Sequence, residues 1–366
     1  MPEDYATYQL FEPDDLVFKL IDLENVRTSR VGLVPKRGIM SSAYLRLRPR
    51  PGVCVRFLYW SFFDLYNRQI FNHLGSGVRS TLGAEDVLNL PLPVPPLAIQ
   101  RAIADYLDTE TARIDALIAK KQRLSDLVAE RESRAFADAL ISRGIRWPKS
   151  LDDLERAEPE GDYRIIQLSQ CLDQLTNGYV GPTRDILVED GVPYIQSLHI
   201  KSGVIDFERR PFFVTPEWHA SRPRIHLRKD DVLIVQTGDI GQVAVVPQAF
   251  GEASCHALQI ARVRPSLVTG PYLAEYLRSS LGYQSLLSRA TGALHPHLEG
   301  GIRNVPVIVP PLLVQEALVD EIAVRRRQSK LVVERLSRQI ELLRERRQAL
   351  ITDAVTGELE VPGVAA

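Results

Sequence analysis

The feature that most constrains this chain is a segment that occurs twice. Asn89-Leu-Pro-Leu-Pro-Val-Pro-Pro-Leu-Ala-Ile-Gln100 returns as Asn304-Val-Pro-Val-Ile-Val-Pro-Pro-Leu-Leu-Val-Gln315, 215 residues later. The register then holds without a gap: Ala102 matches Ala317, Asp105 matches Asp320, Glu130-Arg131 matches Glu345-Arg346, and Asp138-Ala139 matches Asp353-Ala354. Proline suits a first helical turn because its missing N–H would have no intrahelical partner there. Each copy therefore predicts the start of one helix of about 45 residues, some 65–70 Å long at 1.5 Å per residue. The chain is a two-fold repeat, and its other segments divide around these helices.

With 366 residues and 41.2 kDa there is room for two or three domains. No run of about 18 apolar residues is present, so nothing is expected to span a membrane. Met1-Pro-Glu-Asp-Tyr lacks the basic flank and apolar stretch of a secretory signal. Cys54, Cys171 and Cys255 are isolated and lack metal-ligand spacing, which fits buried thiols in a reducing cytoplasm. The formal net charge of −1 leaves nucleic-acid binding to the distribution of charge rather than its sum.

The expected fold class is α+β, a pseudo-two-fold repeat. Two α/β globular domains are separated by two long antiparallel coiled-coil helices. The boundaries read as 1–94 for the first globular domain, 95–146 for the first long helix, 147–309 for the second domain, 310–358 for the second helix, and 359–366 as a tail. In the first domain, Asp14-Asp15 precedes a strand, Tyr44–Arg48 alternates as a half-exposed strand does, and Phe57–Phe63 reads as a buried helix. In the second, strands are expected at 192–195, 231–235, 242–246 and 258–263, and a helix over 272–288. A fainter repeat joins the domains: Asp14-Asp15 matches Asp230-Asp231, and Arg46-Leu-Arg-Pro49 matches Arg262-Val-Arg-Pro265, both at an offset of 216. The roughly 70 residues that precede Asp230 in the second domain have no counterpart before Asp14.

Two stretches are rich in cations. From Asn25 to Phe63 there are eight basic residues and no acidic one, and from Arg209 to Lys229 six basic residues stand against Glu217 alone. Such clusters favour a surface that meets phosphates, while neutral polar side chains beside them can reach base edges. The candidate DNA contacts are Arg37, Ser41, Tyr44, Arg46 and Arg79 in the first domain. In the second they are Lys201, Arg209, Arg210, Arg222, Arg224, Arg228, Lys229, Thr237, Gln242, His256, His295 and His297. Helix pairing and partner contact are expected from Pro95, Pro96, Gln100, Ile103, Leu107, Ile114, Leu117 and Leu124, and from Pro310, Pro311, Gln315, Leu336, Ile340, Leu343 and Leu350. From Val333 the second helix keeps a 3-4 heptad through Arg347 to Ala354.

Catalytic constellations are missing. Gly75-Ser-Gly77 lacks the Gly-Lys-Ser/Thr ending of a phosphate loop, and no His-Glu-x-x-His, Gly-x-Ser-x-Gly or Cys-x-x-Cys occurs. His295-Pro-His297 fits groove donors better than metal ligands, and Asp230-Asp231 fits a turn that caps a strand. The residues point to a recognition protein, neither enzyme nor metalloprotein.

The doubled Pro-Pro-Leu-x-x-Gln at 95–100 and 310–315, the long helices after it, and the ending Arg347-Gln-Ala-Leu-Ile-Thr-Asp-Ala-Val-Thr-Gly357 resemble the specificity subunit of type I DNA restriction–modification systems over nearly the whole chain. Gly191–Ile195 and Asp230–Gly241 look like that family's target recognition domain, and Ser41–Leu45 like its later part. The resemblance implies a non-catalytic scaffold in which each globular domain reads half of a bipartite double-stranded DNA site. Paired helices would set the half-site spacing and dock modification (methyltransferase) subunits, with restriction (motor–nuclease) subunits joining. It implies no cofactor in this chain, with S-adenosylmethionine, ATP and magnesium on the partner subunits. The missing start of the first domain departs from the family pattern. A natural truncation, a shifted start or a frameshift would each produce it, and the alternative function is a half-functional or self-dimerising recognition scaffold.

Overall fold

Asp14 and Asp230 open the same structure. The computed structural model describes residues 8–21, 29–73, 82–158, 161–292, 296–298 and 300–362. Both aspartates sit in the left-handed region, at φ 66° and 67°, which Asp tolerates because its short polar side chain bonds locally. Asp14 N–H donates to Val34 O and Asp230 N–H to Val246 O, each at 3.0 Å. The next carboxylate closes the turn in both copies: Asp15 accepts from Glu12 N–H at 2.9 Å, and Asp231 from Arg228 N–H at 2.8 Å. Strand Leu16–Lys19 then runs between Val31–Leu33 and Tyr44–Leu47, and strand Val232–Val235 between Val243–Val245 and Leu258–Val263, all antiparallel.

The ladders correct the faint repeat. Leu16 pairs with Leu47, and Val232 with Ala261. The arginine beyond each partner, Arg48 or Arg262, donates Nε to the turn carboxylate at 3.0 Å. Arg262 thus corresponds to Arg48, at an offset of 214, and Arg46 has no arginine opposite. The Arg-x-Arg spacing made the sequence match two residues out of register. In a strand that shift preserves the face of the sheet, so the alternation pattern does not expose the slip.

The chain divides into two compact units, Met1–Ser125 with Glu334–Ala366, and Asp126–Val333. In the first, helix Val55–Asn67 buries Phe57, Trp60 and Phe62, and Phe18 meets Phe71 edge-on at 4.8 Å. In the second, strand Leu172–Asn177 extends the sheet, and the core gathers Phe136, Leu140, Tyr272, Tyr276 and Leu318. The expected helix over 272–288 is two, Gly270–Arg278 and Ser280–Leu287. Ser279 takes an extended conformation between them and caps the second by accepting from Gly282 N–H at 3.2 Å.

The long helices are Leu97–Ile141 and Leu312–Thr356, 45 residues each. Both ends coincide under the 215-residue offset. Within each unit the two run antiparallel. Lys121 bonds Gln339 at 2.7 Å and Asp115 bonds Arg347 at 3.0 Å in the first unit. Glu132 meets Arg326 at 3.3 Å and Arg143 meets Glu321 at 2.9 Å in the second.

The first-helix residues expected to pair helices or meet partners divide by burial. Ile103, Leu107 and Ile114 are buried, but Leu117 and Leu124 are 41% and 47% exposed. The covered seam instead runs Leu107, Thr111, Ile114, Ile118, Lys121, Ser125, Val128, Glu132, Ala135, Ala139, alternating steps of four and three. Several seam residues are small or polar, so hydrophobicity alone misplaces the contact face. On the second helix the expected seam holds: Leu336, Ile340 and Ala354 are buried, and Val333, Leu343, Arg347 and Leu350 half-buried.

Candidate nucleic-acid interface

The glutamine of each Pro-Pro-Leu-x-x-Gln segment has a task other than helix pairing. Gln100 Oε1 accepts from Cys54 N–H at 2.7 Å, and its Nε2 donates to Pro95 O at 2.7 Å and Gly52 O at 3.2 Å. Gln315 repeats this atom for atom: it accepts from Thr269 N–H at 2.9 Å and donates to Pro310 O at 2.8 Å and Leu267 O at 2.9 Å. Both glutamines are buried, and Pro96 O and Pro311 O each accept the amide of the glutamine four residues on, as a first helical turn requires. The segment is a clamp that joins each long helix to the loop before Val55–Asn67 or Gly270–Arg278. Pairing falls to the apolar residues; Ile103 and Leu107 pack with Ile351 and Ala354.

The basic stretch of the first lobe is largely neutralised from within. Arg37 meets Glu12 at 3.2 Å, Arg48 and Arg46 meet Asp15 at 3.0 and 3.7 Å, and Arg56 binds Asp105 and Asp108 at 2.6 Å each. Arg46 also donates to Leu10 O, and Arg30 is buried against the carbonyl of Ile21 at 3.0 Å. Burial alone would raise the pKa of Asp15, but the Glu12 N–H and the guanidinium groups of Arg48 and Arg46 outweigh it and hold the carboxyl below its usual range. Among the described residues, Lys36 and Arg50 remain exposed without a carboxylate partner. Ser41 accepts the Tyr44 amide in a turn at 3.1 Å, and Tyr44 stands half-buried in its strand. The carboxylates missing from 25–63 are supplied from elsewhere in the sequence, so that Arg37, Arg46, Arg48 and Arg56 each have an acidic neighbour. Arg79 lies outside the described residues.

The second lobe differs. Lys201, Arg209, Arg224 and Arg228 are exposed and have no carboxylate partner among the described residues. Arg210 lies over the Phe212 ring at 5.3 Å, and Lys229 reaches Asp230 at 3.8 Å in an exposed contact of little energy. Two of the candidate contacts, Arg222 and His256, are half-buried and engaged within the lobe. The Arg222 guanidinium packs on Trp218 at 4.3 Å and Tyr179 at 5.6 Å and bonds Ser221 Oγ at 2.7 Å. His256 is half-buried with Nδ1 3.2 Å from Tyr194 Oη, and burial lowers its pKa. Beside them His219 stacks on His226 at 3.7 Å. Its pKa is lowered by burial and then by the neighbouring imidazole, against a raising effect from Glu252.

Thr237, Gln242 and His297 meet at one end of the four-stranded sheet. Thr237 Oγ1 lies 2.7 Å from His297 Nδ1, and Gln242 O accepts the Val235 amide at 2.9 Å. His295 lies outside the described residues. The sequence did not reveal Gln236 and Gln259, two buried amides bonded at 2.8 Å behind that pair; no charge or periodicity marks them. The cysteines are unpaired, and burial pushes the Cys171 thiol up to about 12. No cluster of potential metal ligands, and no helix long and apolar enough to cross a membrane, occurs among the described residues.

In each copy a glutamine ties the start of a long helix to the loop of its globular lobe. The model described as "Type I restriction modification DNA specificity domain" matches residues 3–125. The type I restriction enzyme EcoBI specificity subunit of Escherichia coli is 21% identical over 323 residues, 81% of this chain and 66% of that protein. The EcoKI specificity subunit of Escherichia coli strain K12 is 20% identical over 324 residues, 86% of this chain and 67% of that one. A chain from a type I R-M system structure superimposes with a TM-score of 0.71 at 17% identity, covering 98% of this chain and 85% of that one. The HsdS subunit of Thermoanaerobacter tengcongensis gives 0.56 at 18%, covering 98% and 84%. These two share the fold. The chain is thus similar to specificity subunits of type I restriction–modification systems, through the matched model over residues 3–125 and through relatives of 20–21% identity.

Proposed function

We propose that this chain is the DNA-reading subunit of a type I restriction–modification complex. It recognises a bipartite double-stranded site and scaffolds the modification and restriction subunits in the cytoplasm. It performs no chemistry itself; S-adenosylmethionine, ATP and magnesium are carried by the partners. The observation that carries the reading is the set of exposed cations in the second lobe, Lys201, Arg209, Arg224 and Arg228, which have no carboxylate partner among the described residues. Partner docking is supported by apolar side chains left exposed at repeat-related positions of the two long helices, Leu117 with Val332 and Leu127 with Leu342.

The test is assembly followed by salt-dependent DNA binding. The purified chain and its cognate modification subunit are expected to form a complex that binds duplex DNA. The Arg224→Ala, Arg228→Ala double variant is expected to flatten the log–log salt slope by about 0.9 for each phosphate no longer neutralised, while Arg46→Ala leaves it unchanged. Failure to form the complex would sink the proposal.

A further inference from the structure

The four-stranded sheet of the second lobe has two chemically different ends. Its neighbouring strands are antiparallel, so the start of Val232–Val235 lies beside the finish of Leu258–Val263 and the start of Leu172–Asn177. That end carries the Asp231–Arg262 pair, and the Leu267–Thr269 loop that follows it is clamped to Gln315. It holds the lobe to its helix. The other end brings together Gln236, Thr237, Gln242, Asn177 and His297, all amides, hydroxyls or imidazole, with Asp239 the one carboxylate in the 236–242 loop. Neutral donors and acceptors of this kind read base edges, whereas phosphate contacts need cations.

At this end one side chain is held far more firmly than an exposed loop residue ordinarily is. Thr237 and His297 are bridged through their backbones, and Leu298 N–H donates to Gln236 O at 2.9 Å. Behind them the buried Gln259 amide donates to Gln236 Oε1 at 2.8 Å and to Leu298 O at 3.4 Å. The loop itself is pressed onto helix Ser280–Leu287. Gly241 sits at φ 80°, and a Cβ there would lie 2.8 Å from the Tyr283 ring. The imidazole is then fixed at Nδ1 by Thr237 Oγ1 at 2.7 Å. His297 is half-buried, and its Nε2 has no partner among the described residues.

We infer that Thr237 and His297 form a base-reading pair, in which His297 contacts a base edge and Thr237 positions it. In the tautomer in which the Thr237 hydroxyl donates to Nδ1, the neutral ring carries its proton on Nε2. His297 then donates to a purine acceptor in the major groove, N7 or the O6 of guanine. Preorganisation gives the contact its value. The ring is oriented before DNA arrives, so binding does not have to order it. Thr237 acts through His297 and is a positioning residue. The inference rests on the DNA-reading role proposed above and names the group that does part of the reading.

The test is selection from a duplex library with randomised positions, using the complex of this chain with its modification subunit. The wild type, His297→Ala, Thr237→Val and Thr237→Ser are compared. His297→Ala is expected to lose about tenfold of the preference for one purine and to keep every other consensus position. Thr237→Val weakens the same position by less, and Thr237→Ser, which keeps the hydroxyl, restores it. Circular dichroism checks each variant; if His297→Ala does not fold, the two Thr237 variants carry the test. An unchanged consensus in His297→Ala, or an equal loss at all positions by a folded variant, overturns the pair. Absence of any consensus from the wild type overturns the DNA-reading role itself, and this inference with it.

Discussion

The two lobes share an aspartate turn, a three-stranded core and a glutamine clamp, yet they use their charges in opposite ways. In the first, Asp15 faces Arg48 and Arg46, whose side chains are 57% and 27% exposed. In the second, Asp231 faces one arginine, Arg262, whose side chain is 16% exposed and also bonds Gln174 and the carbonyl of His226. The same turn thus closes on a wet ion pair in one lobe and a dry one in the other. Arg37, Arg46, Arg48 and Arg56 of the first lobe lie beside carboxylates, whereas Lys201, Arg209, Arg224 and Arg228 of the second have none among the described residues. Architecture is inherited by both copies, while surface charge is adjusted copy by copy.

The largest effect expected from this comparison is at the turn. Asp231→Ala strands the Arg262 charge and should destabilise its lobe by about 3–5 kcal/mol. Asp15→Ala leaves arginines that water can reach and should cost about 1–2 kcal/mol. Hydrogen exchange of the strand amides separates the lobes; equal losses would break the contrast. The clamps make the opposite forecast. Gln315→Ala and Gln100→Ala each leave an amide N–H and two carbonyls without their partner. Both should cost about 2–4 kcal/mol, and the two losses should match.

The smallest effect is the response to mild acid. The pKa of His219 is lowered in the fold, by burial before the His226 charge, and those of His199 and His256 are lowered with burial as the leading cause. The unfolded chain therefore takes up protons first. Stability from these groups is full above about 6.5, the ordinary histidine value, and declines as pH falls through the folded values. Asp15, with its pKa lowered, keeps its contribution until pH drops below the ordinary carboxylate value of 3.8. Between pH 7 and 5 the second lobe should lose exchange protection while the first is unchanged. His219→Gln should reduce that loss, and an identical response from both lobes would refute the assignment.

Much of this architecture was legible beforehand. The two helices, their equal length and the hairpin after each Asp-Asp pair follow from repeats and apolar alternation, which are local signals. The ion pairs of the 25–63 arginines were not legible because their partners, Glu12, Asp15, Asp105 and Asp108, lie on both sides of that window. Leu117 and Leu124 were misplaced because the seam passes through Thr111, Lys121 and Ser125, polar side chains that a stripe drawn on hydrophobicity skips. Gln100 and Gln315 were visible as repeated residues, but as helix residues rather than as clamps.

By itself, then, the sequence determined the number of lobes, the long helices and the places where each helix begins, because repetition and helical starts are written in neighbouring residues. Tertiary structure alone decided which cations remain free, which helix face is covered, and that Thr237 meets His297 across 60 residues of chain. Those outcomes depend on pairings between distant segments, and an isolated residue type carries no record of its partner.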